Sequence, residues 1–137
     1  MAGGLEQTVK TTTMIRNFKK ETCPLNDYEK KRVLPILVSI LSSRVGSNRA
    51  VTSSQLLNVH LKNCPIDAAR LRKVINYIRT KGLIQGLMAT SRGYYVAETR
   101  EELEAYLESL QGRENAIKEL RRSIRKQMNR LFPVEKE

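Results

Sequence analysis

From Leu103 to Leu131 the chain sets residues at alternating spacings of three and four: Leu103, Tyr106, Leu110, Arg113, Ile117, Leu120, Ile124, Gln127 and Leu131. Seven of these nine are apolar. That repeat is the seam of a coiled coil. It commits the end of the chain to one long helix, which Thr99-Arg-Glu-Glu102 opens with a capping-box pattern. At 1.5 Å per residue the helix spans about 50 Å. A rod of that length outruns the domain of roughly 70 residues expected at 26–98, so the stripe calls for a second copy or another protein. The expected dimerisation residues are Leu103, Tyr106, Leu110, Ile117, Leu120, Ile124 and Leu131. The alternative is a break at Gln111-Gly112, with two shorter pieces folded back on their own domain.

Charge divides the chain in a telling way. Residues 1–25 hold four basic and two acidic side chains, residues 26–98 twelve and four, and residues 99–137 nine and eight. The formal net charge of +11 therefore sits mainly in the middle, where the apolar pattern also places the folded core. A basic folded domain suits a shaped anionic partner, nucleic acid first. The bland alternative is charge for solubility. Within the long helix, residues 100–114 sum to −3 and residues 115–131 to +5. This fits the helix dipole and would also let two helices pair antiparallel. The cluster Arg121, Arg122, Arg125, Lys126 and Arg130 could instead be a second nucleic-acid patch.

Ahead of the rod the pattern reads as mainly α with a small β-hairpin. Residues 1–25, with Thr8, Thr11, Thr12 and Thr13, read as a flexible arm, with a short ordered piece possible near Met14–Phe18. Asn26 and Glu29 can cap a helix from Tyr28 to Ser43, which Pro35 should kink or split and Gly46 should end. Thr52-Ser-Ser-Gln55 is a capping box, with Val51 positioned to staple onto Leu56, and opens a short helix ended at Lys62-Asn-Cys-Pro65. A third helix runs from a cap at Asp67 to a stop at Lys81-Gly82, with Leu71, Val74, Ile75 and Ile78 on one face. Then the period changes to that of strands, Leu83–Met88 and Tyr94–Ala97, joined by a turn at Ala89–Gly93. Residues 133–137 read as a tail.

The order helix, short helix, tight turn, helix, hairpin, long helix resembles a winged helix-turn-helix domain, placed at residues 26–98; the likeness covers about residues 33–98 and the start of the long helix. The resemblance lies in Val51-Thr-Ser-Ser-Gln-Leu-Leu57, in Pro65 to Arg79, and in Lys81-Gly-Leu-Ile84 followed by Ser91-Arg-Gly-Tyr-Tyr95. The last piece is similar to the strand closing the wing in the biotin repressor DNA-binding domain, and the whole to small phage-encoded winged-helix proteins. The resemblance implies that the third helix enters the DNA major groove. On its side away from the core it should present Ala69, Lys73 and Thr80, flanked by Arg72 and Asn76, with Arg70 on the other shoulder. Arg72 would fork onto guanine and Asn76 would pair with adenine, while Lys73 and Arg70 neutralise phosphates. Ala69 would allow close approach to a base edge. Ser53 and Ser54 would offer groups to a phosphate, and Arg92 at the hairpin tip would enter a minor groove. Lys73→Ala should then weaken all sites alike.

Chemistry of other kinds finds little footing. Two cysteines and one histidine cannot build a zinc finger or a disulfide scaffold. There is no phosphate-binding glycine loop, no HExxH and no paired carboxylates in an apolar setting. The expectation is therefore no enzyme, no cofactor and no metal. The most apolar stretch, Leu34 to Leu41, is eight residues with Pro35 and Ser39 inside it, too short to span a membrane, and no secretory signal is evident at the start. A cytoplasmic, nucleoid-associated chain with reduced cysteines is expected. The implied function is a sequence-specific double-stranded DNA-binding protein, a bacterial or phage transcriptional regulator acting as a dimer. The alternative is a winged-helix adaptor in a replication, segregation or packaging assembly. RNA stays possible too, although the chain lacks an aromatic stacking platform.

Overall fold

The computed structural model describes residues 23–135. The expected N-terminal arm, its ordered piece near Met14–Phe18 included, lies outside the described residues except for Cys23 to Leu25. The chain forms two units, divided between Glu98 and Thr99, and each is treated by itself.

The first unit opens with the expected capping box. The Glu29 backbone N–H donates to Asn26 Oδ1 at 2.8 Å, and the Asn26 N–H donates to Glu29 Oε1 at 2.9 Å. Pro35 does not split the helix that follows. A π-turn over Glu29–Val33 passes directly into the α-helix α1, Leu34–Ser42, which holds the proline in its first turn. The wider i→i+5 turn relieves the clash that a proline ring makes with the preceding carbonyls, and proline lacks the N–H that the regular ladder would need. Leu37 and Leu41 are fully buried.

Gly46 does not cap α1. At φ 91° it donates its N–H to the Val96 carbonyl at 2.9 Å, and a single 3₁₀ turn, Ser47–Arg49, returns the chain to Val51. There Val51 and Tyr94 exchange both backbone hydrogen bonds, at 3.0 and 2.8 Å. Residues 45 and 51 thus line the free edge of the hairpin strand that carries Tyr94 and Val96. Sequence reasoning missed this contact because it rests on isolated bridges, too short to leave an alternating pattern.

The short second helix, α2, has its complete box: Gln55 N–H to Thr52 Oγ1 at 3.1 Å, and Thr52 N–H to Gln55 Oε1 at 2.9 Å. Its α turn, Ser53–Gln55, continues as a π-turn, Leu56–His60. Val51 and Leu56 join the same buried cluster, as the staple requires. The third helix, α3, spans Ala68–Thr80 with Asp67 as cap. It ends where expected, Gly82 taking φ 67° while the Leu83 N–H closes onto the Ile78 carbonyl at 3.0 Å.

The strands are shorter than the pattern suggested. β1 is Leu87–Thr90 and β2 is Gly93–Val96, antiparallel with Thr90 opposite Gly93. Residues 83–86 are turn, ended by Gly86 at φ 76°. Thr90 organises the tip: its hydroxyl accepts from the Arg92 N–H at 3.2 Å and donates to the Gly93 carbonyl at 3.0 Å. Gly93 is constrained twice. Its φ is 121°, and a Cβ there would lie 2.5 Å from the Val51 carbonyl oxygen. Gly93→Ala is expected to destabilise the unit by about 2 kcal/mol or more, read as a lower midpoint in urea at unchanged slope.

The second unit is the helix α4, Arg100–Leu131, 32 residues long. Thr99 Oγ1 accepts the Glu102 N–H at 3.2 Å, the first half of the predicted box. The helix runs through Gly112 without a break, so the fold-back alternative is set aside. The described residues therefore make a mainly α protein with a small antiparallel hairpin and a long C-terminal helix. Among them, no helix is long and apolar enough to cross a membrane.

Candidate nucleic-acid interface

Helix α3 is buried on two sides, not one. Leu71, Val74 and Ile78 are fully buried and Ile75 nearly so, facing α1 and the rest of the core. Around the helix from them, Lys73 is also buried, at 6% exposure, and its Nζ lies 2.7 Å from Glu29 Oε1. Glu29 itself is fully buried, and its Oε2 accepts from Arg70 Nε at 2.9 Å. The Arg70 guanidinium lies 5.7 Å from the centre of the Tyr28 ring, a cation–π distance, and the Tyr28 hydroxyl donates to the Pro65 carbonyl at 3.1 Å. One carboxylate thus caps its own helix and clamps two cations of α3.

This corrects three expected DNA contacts. Lys73 neutralises an internal carboxylate rather than a phosphate, and its ammonium also donates to Cys23 Sγ at 3.3 Å. Arg70 is committed to the same carboxylate and retains partial exposure. Ala69 is buried at 8%, so it offers no open approach to a base. The physical reason is that the start of the first helix lies on that shoulder of α3, where solvent was expected.

The ionisation of the cluster follows from its contacts. Burial pushes the Glu29 carboxyl up, but hydrogen bonds from Lys73, the Asn26 backbone and Arg70 outweigh it and hold the carboxyl below its ordinary value. Burial likewise pushes the Lys73 ammonium down, and the bond to Glu29 outweighs it, so the lysine holds its proton more firmly than usual.

What remains open on α3 is a strip between the core side and the clamp. Arg72, Asn76 and Thr80 are exposed and Arg79 partly so. Thr80 spends its hydroxyl on the Asn76 backbone carbonyl at 2.9 Å. A cavity of about 360 Å³ adjoins the strip, lined by Cys23, Lys30, Asn76, Tyr77, Thr80 and Lys81 among others. Arg92 is exposed at the hairpin tip, and Ser53 and Ser54 lie at the surface start of α2, Ser54 Oγ accepting from Asn58 Nδ2 at 3.1 Å.

On α4, Leu103, Tyr106 and Leu110 are partly exposed, and Ile117, Leu120, Ile124 and Leu131 expose more than half their surface. Sequence reasoning overlooked Leu107 and Met128, which are equally open, at 63% and 53%. Their spacing, four residues on from Leu103 and from Ile124, widens the same stripe. Lys118, Arg121, Arg122 and Arg125 line one shallow groove of the helix. Among the described residues no His, Cys, Asp or Glu side chains gather as a metal site.

Comparison with family models, curated proteins and solved structures finds no match for this chain.

Proposed function

We propose that residues 26–98 form a winged helix-turn-helix unit that binds double-stranded DNA with sequence preference, in a cytoplasmic, nucleoid-associated regulator of bacterial or phage type that acts as a dimer through α4. The chemistry is binding, not catalysis. The observation that supports this reading best is the composition of the open strip of α3. Arg72 and Asn76 stand on it, the two side-chain types that read guanine and adenine edges bidentately. Once Glu29 and its two partners are set aside, ten cations and three acids remain in residues 26–98, so the surface stays strongly basic. Lys30, Lys31, Lys81 and Arg92 are exposed and supply phosphate or minor-groove contacts in place of Lys73.

Selection from a pool of random duplexes, followed by anisotropy titration, tests the reading. A preferred sequence should emerge, and the observed affinity should fall by about a hundredfold or more between 50 and 200 mM salt if five or more phosphates are contacted. No enrichment over competitor duplex would remove the sequence-specific form of the proposal. The open stripe of α4 also favours a second reading, an adaptor docking another protein within a replication, segregation or packaging assembly. Light scattering separates the two: a homodimer supports the regulator, a monomer the adaptor.

A further inference from the structure

We propose that the partner of α4 is a second copy of the same helix, running antiparallel in one register that sets Glu114 of each copy against Arg121 of the other. This deepens the dimer of the reading above and rests on it only for the second copy being the occupant. The argument starts from the heptad. With Leu103, Leu110, Ile117, Ile124 and Leu131 at one seam position (a), the other (d) is Tyr106, Arg113, Leu120 and Gln127. The flank following the second position (e) is then Arg100, Leu107, Glu114, Arg121 and Met128, and the opposite flank (g) is Glu102, Ser109, Ala116, Ser123 and Arg130.

A parallel, in-register pair fits these residues poorly. It stacks Arg113 on its own copy in the seam. It also sets each g residue against the e residue five positions on in the other helix. Those pairs are Glu102 with Leu107, Ser109 with Glu114, Ala116 with Arg121, and Ser123 with Met128, so no opposite charges meet.

An antiparallel pair faces the e flank with itself, and the helices can slide only by whole heptads without losing the seam. One setting centres Glu114 on Glu114, and another centres Arg121 on Arg121; both juxtapose like charges. The setting between them pairs Glu114 with Arg121 twice and Leu107 with Met128 twice. It explains why these two apolar side chains stand exposed beside the seam, at 63% and 53%. It places Ile117 against Leu120 next to the two-fold axis and Tyr106 against Leu131 towards the ends. Arg113 and Gln127 then meet Ile124 and Leu110, where their stems can lie along the apolar side chain and their heads reach water.

The rest of the helix agrees. Its first half is net negative and its second half net positive, at −3 and +5, so antiparallel halves attract. The existing partner of Glu114 within the helix, Lys118 at 3.8 Å, is exposed, a weak competitor. In this register residues 106–131 of each helix overlap, and two stretches of that length bury on the order of 1,300 Å², within the range of stable interfaces.

Sedimentation equilibrium on the full chain tests the register by charge exchange. Arg121→Glu should weaken self-association about tenfold, and the double variant Glu114→Arg, Arg121→Glu should restore it. Cysteine pairing tests direction: chains with Tyr106→Cys mixed with chains carrying Leu131→Cys should give a cross-link joining the two new positions on mild oxidation, mapped by mass spectrometry. A monomeric wild-type chain overturns the proposal, as does Leu131→Cys cross-linking to itself in the manner of a parallel pair. Failure of the charge exchange to rescue overturns the register. The DNA reading fails separately: a monomer that still selects a duplex keeps it, and a dimer that binds none removes it while leaving the helix pairing intact.

Discussion

Glu29→Gln is expected to lower the stability of the first unit by about 3 kcal/mol, equivalent to a fall in melting temperature of about 15 °C for a domain of this size. The substitution keeps shape and some hydrogen bonding but leaves the buried Lys73 ammonium, 2.7 Å away, and the partly buried Arg70 guanidinium without a counter-charge. Breaking one side of a buried pair costs more than the pair contributes, because the remaining charge stays out of water. The double variant Glu29→Gln, Lys73→Met should therefore recover much of the loss, since the uncompensated ammonium is gone. Equal melting of Glu29→Gln and wild type would mean that water reaches this cluster freely.

The same cluster sets a pH window. The folded-state pKa of Glu29 lies below its ordinary 4.5, so its contribution is complete above 4.5 and is lost as pH falls through the lower folded value. Lys73 holds its proton above the ordinary 10.5, so its contribution is complete below 10.5 and is lost as pH rises through the higher folded value. The acid limb of the stability curve should flatten in Glu29→Gln, where no carboxylate remains to be protonated.

Elements defined by local chemistry were legible in the residues. The boxes at Asn26–Glu29 and Thr52–Gln55, the cap at Asp67 and the stop at Lys81-Gly82 each depend on groups within a few positions of one another, so their spacing identifies them. The stripe of α3 was equally plain. The second buried side of that helix was not, because it arises from one carboxylate 41 residues away in sequence. A capping-box glutamate looks complete with its local bond, and nothing in its neighbourhood reveals two further partners. A lysine on a basic helix likewise reads as a solvated charge until a counter-ion is seen beside it. The pairing of Val45 and Val51 with β2 failed to register for a related reason: the contact is long in range and short in extent. Pro35 shows the opposite error, a strong local rule softened by a π-turn. On α4 the seam was visible as a seam, and α4 itself confirmed only its continuity. Its partner is argued from the charge and apolar residues that flank it.

The contrast between Arg72 and Lys73, neighbours in sequence of which only the second belongs to the internal clamp, gives the other large effect expected. Arg72→Ala should reduce affinity for the selected duplex by about tenfold to a hundredfold while changing affinity for unrelated duplex little, because a bidentate guanine contact is worth about 1–3 kcal/mol of discrimination. Its stability should change by no more than about 1 kcal/mol, because pairing by an exposed side chain contributes little. Lys73→Ala should do the reverse. It lowers the melting temperature by removing one of the two cations on Glu29, and at temperatures where the variant is folded it leaves both the salt dependence and the sequence preference of binding unchanged. A unit slope change on Lys73→Ala would mean that this lysine reaches a phosphate after all, and that the clamp opens when DNA binds. Unchanged discrimination in Arg72→Ala would instead move base reading away from α3, leaving its open strip to the phosphate backbone alone.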